Sequence, residues 1–402
     1  MALFLFDDRQ ARNWTPFALT RPAGELMFGC LLLRERAEKF WGTACAGQLV
    51  EPALAGFEED GAPPVLTSAG LDIDEPQILF SSRAVPVLGT APDVEGPTTL
   101  IMDGHVVGWV LPAGSVLPEG VSVLEPETSD TGFPAVELPG RVLESPWELM
   151  EDNGNQICSD ATHVFPESVS TLSGGVHVSG AEKISLGHEV HVEAGVHLDV
   201  THGPIRLEDG VRISAFTRVA GPAFIGRGTQ ILGGAIGNVS IGPICHVRGE
   251  VQHSVLLGYS NKAHDGYIGH SYLGRWVNLG ALTTNSDLKN NYGTVRVTTR
   301  DGPVDTGRIK VGCFLGDHVK TGIGTLLPTG CVVGAGSNIF GGGMCPVSVL
   351  PFSWGGGEAP GEYDIDRFLE TAERAMSRRD VALTVGGRTV LSEAWRRTRV
   401  SP

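Results

Sequence analysis

The chain has 402 residues, a formal net charge of −16, 55 glycines and seven cysteines. A field of that sign excludes nucleic acid as the main partner, because a polyanion needs basic patches, but it leaves room for small anionic ligands where basic residues gather locally. The cysteines stand singly, with neither CxxC pairs nor the density of a disulfide scaffold, so they read as reduced thiols in a cytoplasm; no apolar run approaches the ~18 residues of a membrane span.

The opening segment, MALFLFDDRQ, lacks the basic and apolar regions of a signal peptide and reads instead as a strand, Ala2 to Phe6, followed by acids. Residues 1–150 predict an α/β or α+β domain, with an amphipathic helix from Glu25 to about Trp41 and short strands at Gln77 to Phe80 and Thr98 to Met102. A connecting helix near Ser145 to Asn153 leads into a second region, 151–350, with repeats starting at about Ala161. The stretch 349–357, VLPFSWGGG, breaks the period, and the tail 351–402 follows. There Ile365, Phe368, Leu369, Ala372 and Met376 recur at helical spacing, with a second short helix expected at 391–398.

The repeats have a period of six. Leu315, Thr321, Leu327, Val333 and Ile339 stand at successive six-residue steps, as do Val178, Ile184, Val190 and Val196, then Ile213, Val219, Ile225 and Ile231, then Leu273 and Leu279. Six fits neither the 3.6 of an α-helix nor the 2 of a strand in an ordinary sandwich, but it fits one flat face of a solenoid per hexapeptide. Each aliphatic residue then points into a narrow interior and stacks on its equivalent one coil away. The abundant glycines suit a fold that turns a corner every six residues.

A solenoid is a scaffold, so chemistry is expected where the repeat is interrupted. Between Leu257 and Leu282 the chain gathers His264, Tyr267, His270 and Asn278, with His253 just before. Between Leu282 and Val311 it concentrates Lys289, Arg296, Arg300, Arg308 and Lys310. A neutral histidine is a suitable general base near pH 7, and a basic loop beside it can hold phosphates.

The string from His264 to Ala281, HDGYIGHSYLGRWVNLGA, resembles the acetyltransferase half of the bifunctional glucosamine-1-phosphate N-acetyltransferases/UDP-N-acetylglucosamine pyrophosphorylases, whose pattern is H-x-x-Y-x-G with V-N-x-G-A downstream. Over nearly the whole length the chain is similar to the sugar nucleotidyltransferases of that group, which begin with a strand and FDD and contain PFSWGG. The resemblance implies a left-handed parallel β-helix, closed by helices, behind a reduced nucleotidyltransferase-like α/β domain. It also implies a homotrimer, with acetyl-CoA as cosubstrate and a sugar phosphate as acceptor. His264 would be the base that accepts the amine proton, Tyr267 and Asn278 would contact the sugar phosphate and acyl group, and Lys289 and Arg308 would bind substrate.

The amino-terminal half departs from that family. Active members carry G-G-x-G-T-R after the first strand; here Asp7 and Asp8 replace the glycines, although P16-F-A-L-T-R-P22 fits the continuation. Carboxylates at that place repel a nucleoside triphosphate unless Mg²⁺ bridges them. Either the domain is retained for its fold, the preferred reading, or it binds nucleotide through Arg9, Arg12 and Arg21, with metal on Asp7, Asp8 or Asp103. N-acetylation of an amino-sugar phosphate is therefore the leading expectation. The alternatives are sugar-1-phosphate nucleotidyl transfer with Mg²⁺ and a non-catalytic sugar-nucleotide-binding scaffold.

Overall fold

A computed structural model of the protein describes all residues except 67–73, 90, 129, 357–359 and 400–402. Gly357 of the VLPFSWGGG stretch therefore lies outside the described residues. Ala2–Phe6 sits centrally in a seven-stranded sheet, parallel to Cys45–Leu49 on one side and to Gln77–Ser81 on the other, with His105–Leu111 antiparallel beyond. Both faces of this first strand are covered: Leu3 and Leu5 pack with Ala37 and Phe40 of the Leu33–Trp41 helix, whereas Phe4 and Phe6 pack against Trp109. Double burial is why ALFLF is apolar throughout rather than alternating.

The expected helix from Glu25 starts only at Leu33. Before it, Met27–Phe28 and Leu31–Leu32 form a tight hairpin around Gly29, whose φ of +67° needs no strain in glycine. Tertiary partners override helix propensity here, because the N–H groups of Gly29 and Cys30 donate to Asn153 Oδ1 (3.0 Å) and Asp160 Oδ2 (2.9 Å). Asp160 in turn takes two bonds of 2.7 Å from the buried Arg36. These acceptors lie on a helix, Asn153–Val164, that follows the short Glu148–Glu151 helix, so Ala161 is helical and the first coil strand appears only at His177–Ser179.

From there the chain winds as a left-handed parallel β-helix. The stacking expected from the period is present: Val219 lies between Leu198 and Ile236, Ile213 between Val192 and Ile231, and Leu315 between Leu273 and Val333. Those residues fill one continuous buried core, while Val178, on the terminal coil, is 48% exposed because only one side has a neighbour to cover it. The coil also outlasts the expected break: Phe352 turns a corner and Ser353–Trp354 still pairs with Asn338. Tail helices Ile365–Ser377 and Val385–Arg397 then close the end around Phe352, Tyr363, Phe368 and Leu391. The second helix begins six residues earlier than expected despite Gly386 and Gly387, because Thr384 caps it by accepting from the Gly387 N–H. Among the described residues no helix is long and apolar enough to cross a membrane.

The two halves share a core. Val255, Leu257, Tyr272, Phe314 and Val332 point outward from one β-helix face and pack against Trp14, Phe17, Phe28 and Trp147. The basic insert joins this seam rather than standing free: it folds as a hairpin, Arg296–Thr299 with Gly302–Asp305, and buries Val295 and Val297 there.

Candidate functional site at a corner of the β-helix

The strand Tyr267–Gly269 forms one face of a coil, with His264 before it and His270 after it. At His270 the backbone turns with φ +45°, and the insert leaves and returns beside this corner, where Val311 N donates to Asp287 O (2.9 Å) and Gly312 N to His270 O (2.7 Å). That junction places Asp287 against two side chains of the preceding coil. Its Oδ2 accepts from the Tyr267 hydroxyl at 2.7 Å and lies 2.7 Å from His270 Nδ1. A carboxylate only accepts, so in this arrangement Nδ1 carries the proton and Nε2 keeps its lone pair. Burial pulls the Asp287 carboxyl upward, but the bonds from His270 and Tyr267 prevail and hold it at about 2.

One coil below, the His253 ring stacks on His270 at 4.6 Å and 7°. Burial, then the neighbouring His270 and Lys310, holds the His253 imidazole below its ordinary value, which favours its neutral form. Asn285 locks the strand from the next coil, donating to Gly269 O (2.9 Å) and accepting from Gly269 N (2.8 Å). Asn285 and Asp287 were not among the candidates singled out from the sequence; the available signal was their position at the departure point of the insert, one coil beyond Gly269 and His270.

The other expected site residues are less closely gathered. The His264 side chain is exposed, with no hydrogen-bond partner among the described residues. Its carbonyl accepts from Lys262 Nζ, which also donates to Arg248 O at 2.8 Å. Lys262 is only 3% exposed, and burial brings its ammonium down to about 8. Asn278 lies on a different face from Tyr267 and bonds Asn261 at 3.0 Å. Lys289 bonds within the insert to Thr294 O at 2.5 Å, and Arg308 pairs with Glu151 at 2.8 Å, so both cations already have protein partners.

At the carboxyl ends of the N-terminal strands, where open α/β sheets bind ligands, the crevice is lined by the protein's own polar groups. Asp7 accepts from Ser82 Oγ (2.5 Å) and Ala23 N (3.0 Å), and burial nevertheless lifts its carboxyl to about 6. Asp8 caps the Arg9–Arg12 helix through Ala11 N and bonds Arg83 Nη2 at 2.6 Å. Asp103 occupies the turn of the hairpin between Thr98–Met102 and His105–Leu111, three strand spacings from Asp7, or roughly 14 Å at ~4.8 Å each. Among the described residues no group of three or more His, Cys, Asp and Glu is placed to hold a metal ion. With both aspartates committed to internal partners, these residues do not fit Mg²⁺.

The three arginines do not converge either. Arg9 pairs with Glu125 on the surface, Arg12 donates to Asp7 O at 2.8 Å, and Arg21 is buried against Glu59 and Asp317, away from the crevice.

Comparison with known proteins agrees with this architecture. Residues 3–166 match the family model described as sugar nucleotidyl transferase. The chain is 35% identical over 95 residues to the bifunctional sugar-1-phosphate nucleotidylyltransferase/acetyltransferase of Sulfurisphaera tokodaii, which covers 24% of each chain. It is 30% identical over 179 residues to the bifunctional protein GlmU of Nitrosospira multiformis, covering 39% of this chain and 35% of that one. A third relative, the bifunctional protein GlmU of Methanococcus maripaludis, is 33% identical over 90 residues, 22% of each chain. The matches thus span well under half the length of these relatives. Residues 3–166 therefore match the sugar nucleotidyl transferase family model, on a chain similar in part to bifunctional nucleotidyltransferase/acetyltransferases.

Proposed function

We propose that the protein transfers an acetyl group from acetyl-CoA to the amine of an amino-sugar phosphate at the His270 corner. The observation that carries this reading is the Tyr267–Asp287–His270 cluster, set one face away from the exposed His264. Asp287 orients the His270 ring, and Nε2 takes the proton released as the amine nitrogen attacks the thioester carbon. The C–N bond forms, the C–S bond breaks, and the proton passes to the departing thiolate. His264 would meet the substrate from the other end of the Tyr267–Gly269 face. A homotrimer would bring a neighbouring subunit over this corner, and light scattering tests that against the 42.5 kDa of one chain.

Incubation with acetyl-CoA and glucosamine 1-phosphate should release free thiol, and His270→Ala should reduce the rate by about 10²-fold or more while the thermal transition stays in place. A full loss in His264→Ala beside an active His270→Ala would move the base to His264. No thiol release from the wild-type protein with any amino-sugar phosphate would refute the reading.

Sugar-1-phosphate nucleotidyl transfer is the second reading, favoured by the family match over residues 3–166. The self-bonded Asp7 and Asp8 weigh against it, and pyrophosphate release from UTP or dTTP would reinstate it. Ligand binding without either turnover would support a scaffold role.

A further inference from the structure

A second corner of the β-helix runs in a column away from His270. Gly228, Tyr259, Trp276, His318 and Gly336 occupy it on different coils, with φ of +67°, +54°, +63°, +60° and +73°. Each N–H bonds a carbonyl of the coil before it, as in Trp276 N to Gly258 O (3.3 Å) and His318 N to Arg275 O (2.8 Å). Glycine takes this left-handed backbone freely, whereas a residue with a Cβ is strained there. Three successive coils nevertheless carry rings there, between Ile244 (φ +57°) on the coil before and Gly336 on the coil after, and strain that the fold tolerates is often found at binding sites.

The rings form a ladder, Tyr259 on Trp276 at 4.4 Å and Trp276 near His318 at 6.3 Å, and all three line a cavity of about 570 Å³. That volume lies in the range of small-molecule sites. The facing wall comes from the tail, including Val381, Leu383, Val390 and Leu391, and is apolar; the N-terminal half contributes Arg21, Phe57 and Glu59. All three parts of the chain therefore build this one cavity.

Two wall residues hold polar atoms that the protein leaves unsatisfied. His318 is 6% exposed and Arg275 is 9% exposed, and His318 Nδ1 and Arg275 Nε have no hydrogen-bond partner. Buried polar atoms are rarely left so without a ligand or water to meet them; the Arg275 N–H calls for an acceptor such as water, whereas an imidazole Nδ1 can accept from a ligand N–H.

Charge selects the ligand. Arg21 is paired with Asp317 and Glu59, and Arg275 with Glu59, so the cations are already balanced. Burial holds the His318 imidazole far down, at about 3, so it adds no positive charge. The other ionisable lining groups, Glu58, Asp60 and Asp380, are all acidic and exposed, and among the described residues none of the three has an ion-pair partner. A polyphosphate or coenzyme A would be repelled there, which separates this cavity from the proposed acyl-transfer corner.

We propose that the cavity binds a small organic amine with an aromatic or aliphatic body, its charged nitrogen among Glu58, Asp60 and Asp380 and its body between Trp276 and the tail wall. The test uses the full chain and two probes with the same ring and opposite charge, phenethylamine and 3-phenylpropionate, followed by calorimetry and thermal shift. Phenethylamine should bind and raise the melting temperature, and 3-phenylpropionate should do neither. Asp60→Asn combined with Asp380→Asn, both on the exposed rim, should weaken amine binding at least fivefold, and Ala382→Trp should abolish it by filling the cavity. Equal binding of the two probes, no binding of either at millimolar concentration, or amine binding unchanged in both variants would overturn the proposal.

Discussion

Arg21 and Asp317 meet at 2.9 Å across the seam between the N-terminal half and the β-helix, with only 2% and 4% of their side chains exposed. Thr20 also donates to Asp317 (2.8 Å), and Glu59 takes both Arg21 Nη atoms, at 3.1 and 2.8 Å. A buried pair is costly to form, yet removing one member strands the other without water. Arg21→Ala should therefore lower unfolding stability by about 3–5 kcal/mol, read from urea midpoints; a change below 1 kcal/mol would show that water reaches the seam.

Tyr272 ties the same seam through its hydroxyl, which accepts from Met27 N at 2.8 Å and donates to Met27 O at 3.2 Å while the ring is fully buried. Tyr272→Phe keeps the packing but leaves both backbone groups unpaired. We expect a loss of about 1–3 kcal/mol in chemical denaturation, with the secondary-structure spectrum unchanged.

At the acyl-transfer corner, Asp287→Asn would let an amide N–H face His270 Nδ1 and so favour the wrong tautomer. The expected outcome is a fall in kcat for acetyl transfer of about 10²-fold, with a smaller change in KM, in steady-state thiol-release assays. Tyr267→Phe removes only one of the two bonds to Asp287 and should cost less. A wild-type rate in Asp287→Asn would remove the His270–Asp287 pair from the mechanism.

Asp7 makes stability depend on pH in a direction opposite to most carboxylates. Its folded value of about 6 lies above the ordinary 3.8, so the folded state holds the proton more tightly than the unfolded chain does. The stabilisation from this group is complete below pH 3.8 and is lost as pH rises through 6. Asp7→Asn lacks that dependence. The stability difference between wild type and variant should shift by roughly 2 kcal/mol against the wild type between pH 4 and pH 7, as measured by urea titration at each pH. A constant difference would place the Asp7 carboxyl in its ordinary range.

The periodic residues show where sequence reading succeeds. Ile213, Val219, Ile225 and Ile231 are buried because a six-residue repeat dictates an inward position once per face, whatever the rest of the chain does. The central strand and the first tail helix were legible for a related reason, since their apolar pattern is local, whereas the second tail helix starts six residues before the expected 391. The start of the first long helix was not, because the Gly29 hairpin is held by Asn153 and Asp160, more than a hundred positions away.

The candidate site divides along the same line. Its location, at the interruption that carries His264, Tyr267 and His270, could be read from the sequence and its family resemblance. The pairing of Asp287 with His270 could not, because it depends on how one coil stacks on the next and where the insert leaves the corner. Nor could the burial of Arg21 against Asp317, which makes a residue expected to bind nucleotide part of the seam instead. Periodicity settles which side chains point into the coil; the partners of those pointing outward were decided only when distant segments packed against it, because hydrogen bonds and ion pairs act over a few ångströms in space and leave no regular spacing along the chain.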